Sequence, residues 1–371
     1  MTSIVFDSQI FALQQFGGIS RYICALDEQL FKRDGVDAQI WAPLHVNQYL
    51  RELKASANAA VRGIYLPPIP RLGQVLSAVN QALFPLVGMG RRPDVIHETY
   101  YAAKPVYKGR AARVLTVYDL IHERFPQSFL PGDPVAHNRA KAILRADHLI
   151  CISESTRRDL LETYQVPESK VSVTYLGYDA LPLSSLNASS LVGVRPYLLY
   201  VGSRHGYKNF DGLLAAYAQS RTRQEGVRIV CFGGGPLSAS ERSLIPKYQL
   251  HADDVAHVSG TDERLAALYA GAVAFVYPSK YEGFGIPPLE AMSLGCPVIC
   301  SNSSSIPEVV GNAGAYFDPN SVESIQQTLD QVLLSPTRQK ELTTLGHERV
   351  RAFSWARCAG QTLDAYRKLG V

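Results

Sequence analysis

One pattern recurs along the 371 residues and limits what the chain can fold into: a short apolar run, a glycine turn, then the start of a helix. It occurs at residues 3–7 before Gly17-Gly18, and at residues 197–201 before a loop running from Gly202 to Asn209. It occurs again at residues 227–232 before Gly233-Gly234-Gly235-Pro236, and at residues 272–277 before the Gly283 to Gly285 turn. Further apolar runs at 36–41, 94–98, 113–119, 148–152, 171–175, 255–260 and 297–300 alternate with helical stretches. Such alternation predicts parallel, doubly wound α/β sheets with helices on both faces. A chain of this length exceeds what one core supports. The pattern pauses in a charge-poor stretch at 180–194 and then restarts, so we expect two Rossmann-like domains, 1–180 and 195–354, facing each other across a cleft.

Composition narrows the function classes. At 46% hydrophobic and 19% charged residues the chain reads as an ordinary soluble enzyme. A net charge of +4 permits an anionic substrate, but there is no dense Lys/Arg run interleaved with aromatics, so no nucleic acid partner is expected. The six cysteines form no C-x-x-C pair, which argues against zinc and for reduced thiols in the cytoplasm. The first twenty residues lack a basic stretch followed by an apolar core, and no apolar run is long enough to span a bilayer.

The stretch richest in chemistry runs from Tyr281 to Pro297. A strand-like run leads through Glu282-Gly283-Phe284-Gly285 into a helix whose first turn holds Pro287 and Pro288, with Gly295 placed to end it. A helix N-terminus after a glycine turn presents backbone N–H groups and a positive dipole end, which suits a diphosphate. Two carboxylates, Glu282 and Glu290, flank it and can accept hydrogen bonds from sugar hydroxyls. The bland alternative is a capped βα junction. In the loop after residue 201, Arg204 and Lys208 beside Ser203 could hold a diphosphate from the other side, although exposed basic residues are more often merely solvated. No G-x-x-x-x-G-K-[ST] loop occurs.

The first half offers weaker signals. Polar residues just past parallel strand ends line ligand crevices, which makes His97 and Glu98, then Asp119 and His122, candidates against an even prior for structural roles. Leu72, Val75, Leu76, Val79, Leu83 and Val87 recur at helical spacing, with Arg71, Arg91 and Arg92 at the ends. We favour a helix packed on the sheet; the alternative is a helix resting on a membrane surface or clasping a lipid acceptor. Trp355, Ala359, Leu363 and Tyr366 line one face of a final helix.

Taken in order, these motifs resemble retaining glycosyltransferases of the GT-B fold, family 4, and among them the bacterial mannosyltransferase-like enzymes of surface polysaccharide and O-antigen assembly. The residues that carry it are Gly17-Gly18-Ile19-Ser20-Arg21-Tyr22, Val117-Tyr118-Asp119-Leu120, the segment from Ile152 to Asp159, Val201-Gly202-Ser203-Arg204 with Lys208-Asn209, and above all Glu282 and Glu290 at E-x7-E spacing followed by Pro307-Glu308-Val309-Val310. The resemblance implies a nucleotide-diphosphate sugar as co-substrate, GDP-mannose before a UDP-hexose, with no resident cofactor. It implies a glycan or lipid-linked acceptor and front-face transfer without a metal, in keeping with the absence of D-x-D.

It implies roles as well. Arg204 and Lys208 would bind the diphosphate and stabilise the leaving group. Glu282 with Gly283, Phe284, Gly285 and Ile286 would hold the sugar, and Glu290 the ribose. Gly17 and Gly18 would approach the phosphates from the N-terminal domain. Asp119 would be catalytic, beside Tyr118 where relatives carry a His whose place His122 would take; His97 and Glu98 would lie on the acceptor side. The last helix, 355–371, would cross back to the N-terminal domain. The expected location is the cytoplasm, free or against the inner membrane. Competing readings are a phosphorylase or epimerase on the same scaffold, and a non-catalytic binder of sugar nucleotides.

Overall fold

The computed structural model describes residues 1–56, 59–68, 72–182 and 188–370. Arg71 and part of the expected 180–194 linker lie outside the described residues. Two units emerge. The first is Met1–Arg124, Phe129–Gly177 and Ser354–Val371; the second is Phe125–Ser128 and Tyr178–Phe353.

Unit 1 is built on seven strands: β1 (Thr2–Phe6), β2 (Val36–His45), β3 (Ala60–Tyr65), β4 (Val95–Glu98), β5 (Ala112–Val117), β6 (His148–Cys151) and β7 (Val171–Val173). They pair in the order β3-β2-β1-β4-β5-β6-β7, every pair parallel. Unit 2 holds six: β8 (Tyr197–Val201), β9 (Arg228–Phe232), β10 (Val255–Val258), β11 (Ala274–Tyr277), β12 (Val298–Ser301) and β13 (Gly314–Phe317). Their order is β10-β9-β8-β11-β12-β13, again all parallel. Both units are Rossmann-like. Runs such as Ala274–Tyr277 and Val298–Ser301 are buried at every position. That is how a parallel strand covered on both faces reads.

Two strands escaped the sequence reading. β3 is half-exposed along its length, with Arg62 and Gly63 inside it, so it lacks the apolar run of a central strand. β13 opens with Gly314 and Ala315, two residues that seldom favour a strand.

The helix Leu72–Val87 packs on β2 and on the helix Gln9–Leu13. Its buried face is Leu76, Asn80 and Phe84, one turn apart, and not the whole stripe read from the sequence: Val75 and Val79 are exposed. The Asn80 side chain bonds the Leu44 backbone in both directions, 2.9 Å each, which fixes the helix on the strand. No described helix is long and apolar enough to cross a membrane.

The final helix, Trp355–Arg367, is capped by Ser354 and packs on the helix Gly18–Phe31 and on β6. Trp355, Ala359, Leu363 and Tyr366 are all buried, as their spacing predicts. The six cysteines are buried free thiols. Burial pushes the Cys231 and Cys358 thiols up to about 12, so neither is a ready nucleophile.

Candidate functional site

In unit 2 the chain runs from β8 outward to β10, returns to β11, and runs outward the other way to β13. The reversal lies between β8 and β11, whose carboxyl ends therefore open a crevice between diverging connections. From β8 comes Gly202-Ser203-Arg204, a short turn at Gly206–Lys208, and the helix Phe210–Gln219. From β11 comes the 278–285 loop and the helix Ile286–Ser293. Gly285, the residue before that helix, has φ +116°, a conformation a side chain would strain. Pro287 and Pro288 sit in the first turn and carry no N–H, which leaves the Gly285 and Ile286 amides as the donors at the helix end. Gly295 has φ +73° just past the helix, the stop expected from the sequence.

The two loops meet through one ion pair. The Lys208 ammonium lies 2.7 Å from Glu282 Oε1, with the side chains 19% and 10% exposed. The Tyr207 and Tyr277 rings flank the ammonium at 5.3 and 5.9 Å from their centroids. Burial, and then the Glu282 carboxylate hydrogen-bonded to it, hold the Tyr277 phenol well above its ordinary value. The neighbouring Lys280 amide donates to Tyr207 O at 2.7 Å, a second tie between the loops.

A ladder of serines fixes the Glu282 loop from below. Ser301 Oγ donates to Ser279 O (2.5 Å), Ser303 Oγ to Lys280 O (2.6 Å), and Ser305 Oγ to Glu282 O (2.9 Å) and Phe284 O (2.7 Å). The Glu282 amide donates to Ser304 Oγ at 2.9 Å.

Glu290 lies one turn into the helix, buried, with the Tyr269 hydroxyl 3.4 Å from its Oε2. Arg204 stands differently from Lys208. Its side chain is 1% exposed, tied to Glu241 and to the carbonyls that follow β9. The tie to Glu241, 37 residues away, has no local sequence signal.

The unit 1 candidates are drawn into the interior. His97 is fully buried, its Nδ1 2.6 Å from the Tyr366 hydroxyl and its Nε2 2.8 Å from Thr116 Oγ1. Burial lowers it to about 3, so it is neutral. Glu98 is gripped by Arg145 (Nη2 at 2.5 Å, Nε at 3.0 Å) and approached by Arg113 at 3.4 Å. These two, expected on the acceptor side, are both buried and partnered within unit 1. Tyr118 is likewise buried, its hydroxyl donating to Thr99 O.

Asp119, just past β5, accepts from the Ile121 amide at 3.1 Å. It also faces Arg139, a buried residue that donates to Asp119 O (2.7 Å) and to Glu123 Oε2 (2.6 Å). His122 stacks on Phe129 at 3.7 Å and lies 3.4 Å from Arg139 Nη2. Burial first, then the Arg139 charge, lowers its pKa. Gly17 and Gly18 open the helix Gly18–Phe31, with Gly18 exposed. Asp119, His122 and this glycine pair thus belong to unit 1, whereas Ser203, Lys208, Glu282, Gly283 to Ile286 and Glu290 belong to unit 2.

Comparison with known proteins agrees with this division. Residues 16–180 match the family model Glycosyltransferase Family 4, and residues 185–349 match Glycosyl transferases group 1. O-antigen chain mannosyltransferase B of Escherichia coli is 35% identical over 243 residues, 60% of each chain. MMP alpha-(1->4)-mannosyltransferase of Mycolicibacterium hassiacum is 30% identical over 227 residues, 59% of this chain and 54% of its own. Sucrose-phosphate synthase from Thermosynechococcus elongatus superposes with a TM-score of 0.75 at 20% identity, covering 100% of this chain and 99% of that one. Anabaena Alr3699/HepE in complex with UDP-glucose gives 0.73 at 16%, covering 98% and 99%. These two structures are alike in fold.

Proposed function

The chain belongs to the family 4 glycosyltransferases of the GT-B fold, and on that premise we propose that it moves a hexose, mannose first, from a nucleotide-diphosphate sugar to a hydroxyl of a glycan or lipid-linked acceptor, with retention at the anomeric carbon. The observation that carries the reading is the Lys208–Glu282 pair at the β8/β11 reversal, beside a helix N-terminus. An incoming diphosphate offers Lys208 a stronger partner than one carboxylate, and a helix end adds amide donors aimed at the anion. Glu282, released from Lys208, accepts a hydrogen bond from a sugar hydroxyl. Glu290 accepts from the ribose.

In the transfer itself the bond from the anomeric carbon to the phosphate oxygen breaks, and the electron pair leaves with the diphosphate. The acceptor oxygen bonds the anomeric carbon on the same face, and its proton passes to the departing phosphate oxygen. Charge develops on the phosphate, where Lys208 and the amides of Gly285 and Ile286 stabilise it; one such contact is worth roughly 10²–10³ in rate. Glu282 is no nucleophile in this scheme, and no resident cofactor is called for.

The mannosyl preference rests on the names of the relatives that align over this chain. A second reading, a UDP-hexose donor, is favoured by the UDP-glucose in a structure of the same fold. A thermal-shift panel of GDP-, UDP- and ADP-sugars, followed by product analysis on lipid-linked acceptors, separates them. Stabilisation by GDP-mannose alone supports the first. If no nucleotide sugar stabilises the fold, a non-catalytic role replaces both.

A further inference from the structure

We infer that Arg204 is a positioning residue that builds one wall of the donor site, and that the phosphate charge falls to Lys208 without it; this rests on the donor-site reading above. Three successive glycines after β9 have φ of +79°, +67° and +72° (Gly233, Gly234, Gly235). A Cβ on Gly234 would lie 2.7 Å from Gly202 O and 3.0 Å from Ser203 Cα, so this turn presses directly on the loop after β8. Turned this way, the run directs successive carbonyls to one side, toward the buried Arg204 side chain.

Arg204 supplies them. Its Nη1 donates to Gly233 O at 2.8 Å, and its Nη2 to Gly235 O at 2.7 Å, with Pro236 O and Gly234 O at 3.2 and 3.3 Å. Its Nε donates to Glu241 Oε1 at 3.0 Å. Glu241 in turn accepts from the Ser238 amide at 2.7 Å, and the Ser238 hydroxyl accepts from the Glu241 amide, which starts the helix Ala239–Lys247. The guanidinium thus joins the ends of β8 and β9 to the following helix.

A planar fork of five donors suits this task, and a lysine cannot copy it. For Arg204 to bind phosphate it would have to abandon these carbonyls. It would also leave the Glu241 carboxylate, 12% exposed, facing an incoming anion. Lys208 is the more exposed of the two, at 19%, and would exchange its Glu282 partner for the phosphate.

The test compares wild type, Arg204→Lys and Glu241→Gln by amide hydrogen exchange and by steady-state kinetics with whichever of GDP-mannose or UDP-glucose supports turnover. For Arg204→Lys we expect the exchange of the Ser238, Glu241 and Arg242 amides to rise about tenfold or more. The donor KM should rise about tenfold or more with kcat nearly kept, since what is lost is binding geometry rather than leaving-group charge. Glu241→Gln should move exchange and KM in the same direction by less. The proposal is overturned if Arg204→Lys leaves exchange unchanged while kcat falls, or if Glu241→Gln leaves both exchange and KM at wild-type values. The latter variant decides alone should Arg204→Lys not fold. Absence of nucleotide-sugar binding by wild type would defeat the donor reading instead, and exchange would still decide the role of Arg204.

Discussion

The two sheets share one topology and treat their polar edge residues in opposite ways. In unit 1 the reversal lies between β1 and β4, and the groups at those strand ends are satisfied internally. Asp7 accepts from Thr99 Oγ1 at 2.6 Å, from the Thr99 amide at 3.0 Å and from Gln9 Nε2 at 2.5 Å; Glu98 is clasped by Arg145, and His97 by Tyr366 and Thr116. In unit 2 the same edge holds an ion pair from two loops beside a helix end, its side chains 19% and 10% exposed. Strand order selects where a ligand can bind. Whether it does depends on how completely the polar groups there are already partnered.

That contrast can be broken experimentally. The largest effect is expected from Glu98→Ala, which strands Arg145 in a nearly buried setting. It should cost unit 1 about 3–5 kcal/mol in urea denaturation while nucleotide-sugar binding per folded molecule is unchanged. A loss of binding affinity in the folded fraction would mean that Glu98 does reach the donor. Next, Lys208→Ala should lower kcat roughly 10²–10³-fold, followed by nucleotide release, while the protein stays folded. Wild-type turnover in both Lys208→Ala and Glu290→Ala would remove the unit 2 site from consideration.

Smaller effects concern support. Ser305→Ala leaves the Glu282 and Phe284 carbonyls without their shared donor and should destabilise by about 1–3 kcal/mol. Calorimetry would detect that as a lower Tm, and an unchanged Tm would show the serine ladder to be incidental.

Smallest at neutral pH, and most diagnostic, is a pH effect in unit 1. His97 is lowered from 6.5 to about 3, so between those values the unfolded chain binds a proton that the folded chain refuses. Its stabilising share is therefore present above pH 6.5 and is lost as pH falls. Asp7 is raised, by burial first and then by Glu98, to about 6, so its share is present below 3.8 and lost as pH rises through 6. In His97→Gln the acid-side loss of stability should shrink while the Asp7 slope remains. Equal acid sensitivity in wild type and variant would contradict the assignment.

Much of this molecule was legible in one dimension. Apolar runs, glycine turns and helix starts are local, so they disclosed eleven of the thirteen strands among the described residues, the double-proline helix and the glycine that ends it. The E-x7-E pair and Lys208 could be named as candidates because motif spacing survives without any knowledge of contacts. What only the tertiary structure decided were the partners. His97 meets Tyr366 across 269 positions, and Arg204 meets carbonyls about thirty positions on. Whether an arginine or a histidine is free for a ligand depends on such distant groups, and no period or propensity encodes them. Strand formation follows from the chemistry of neighbouring residues; the availability of a charge follows from what the fold brings against it.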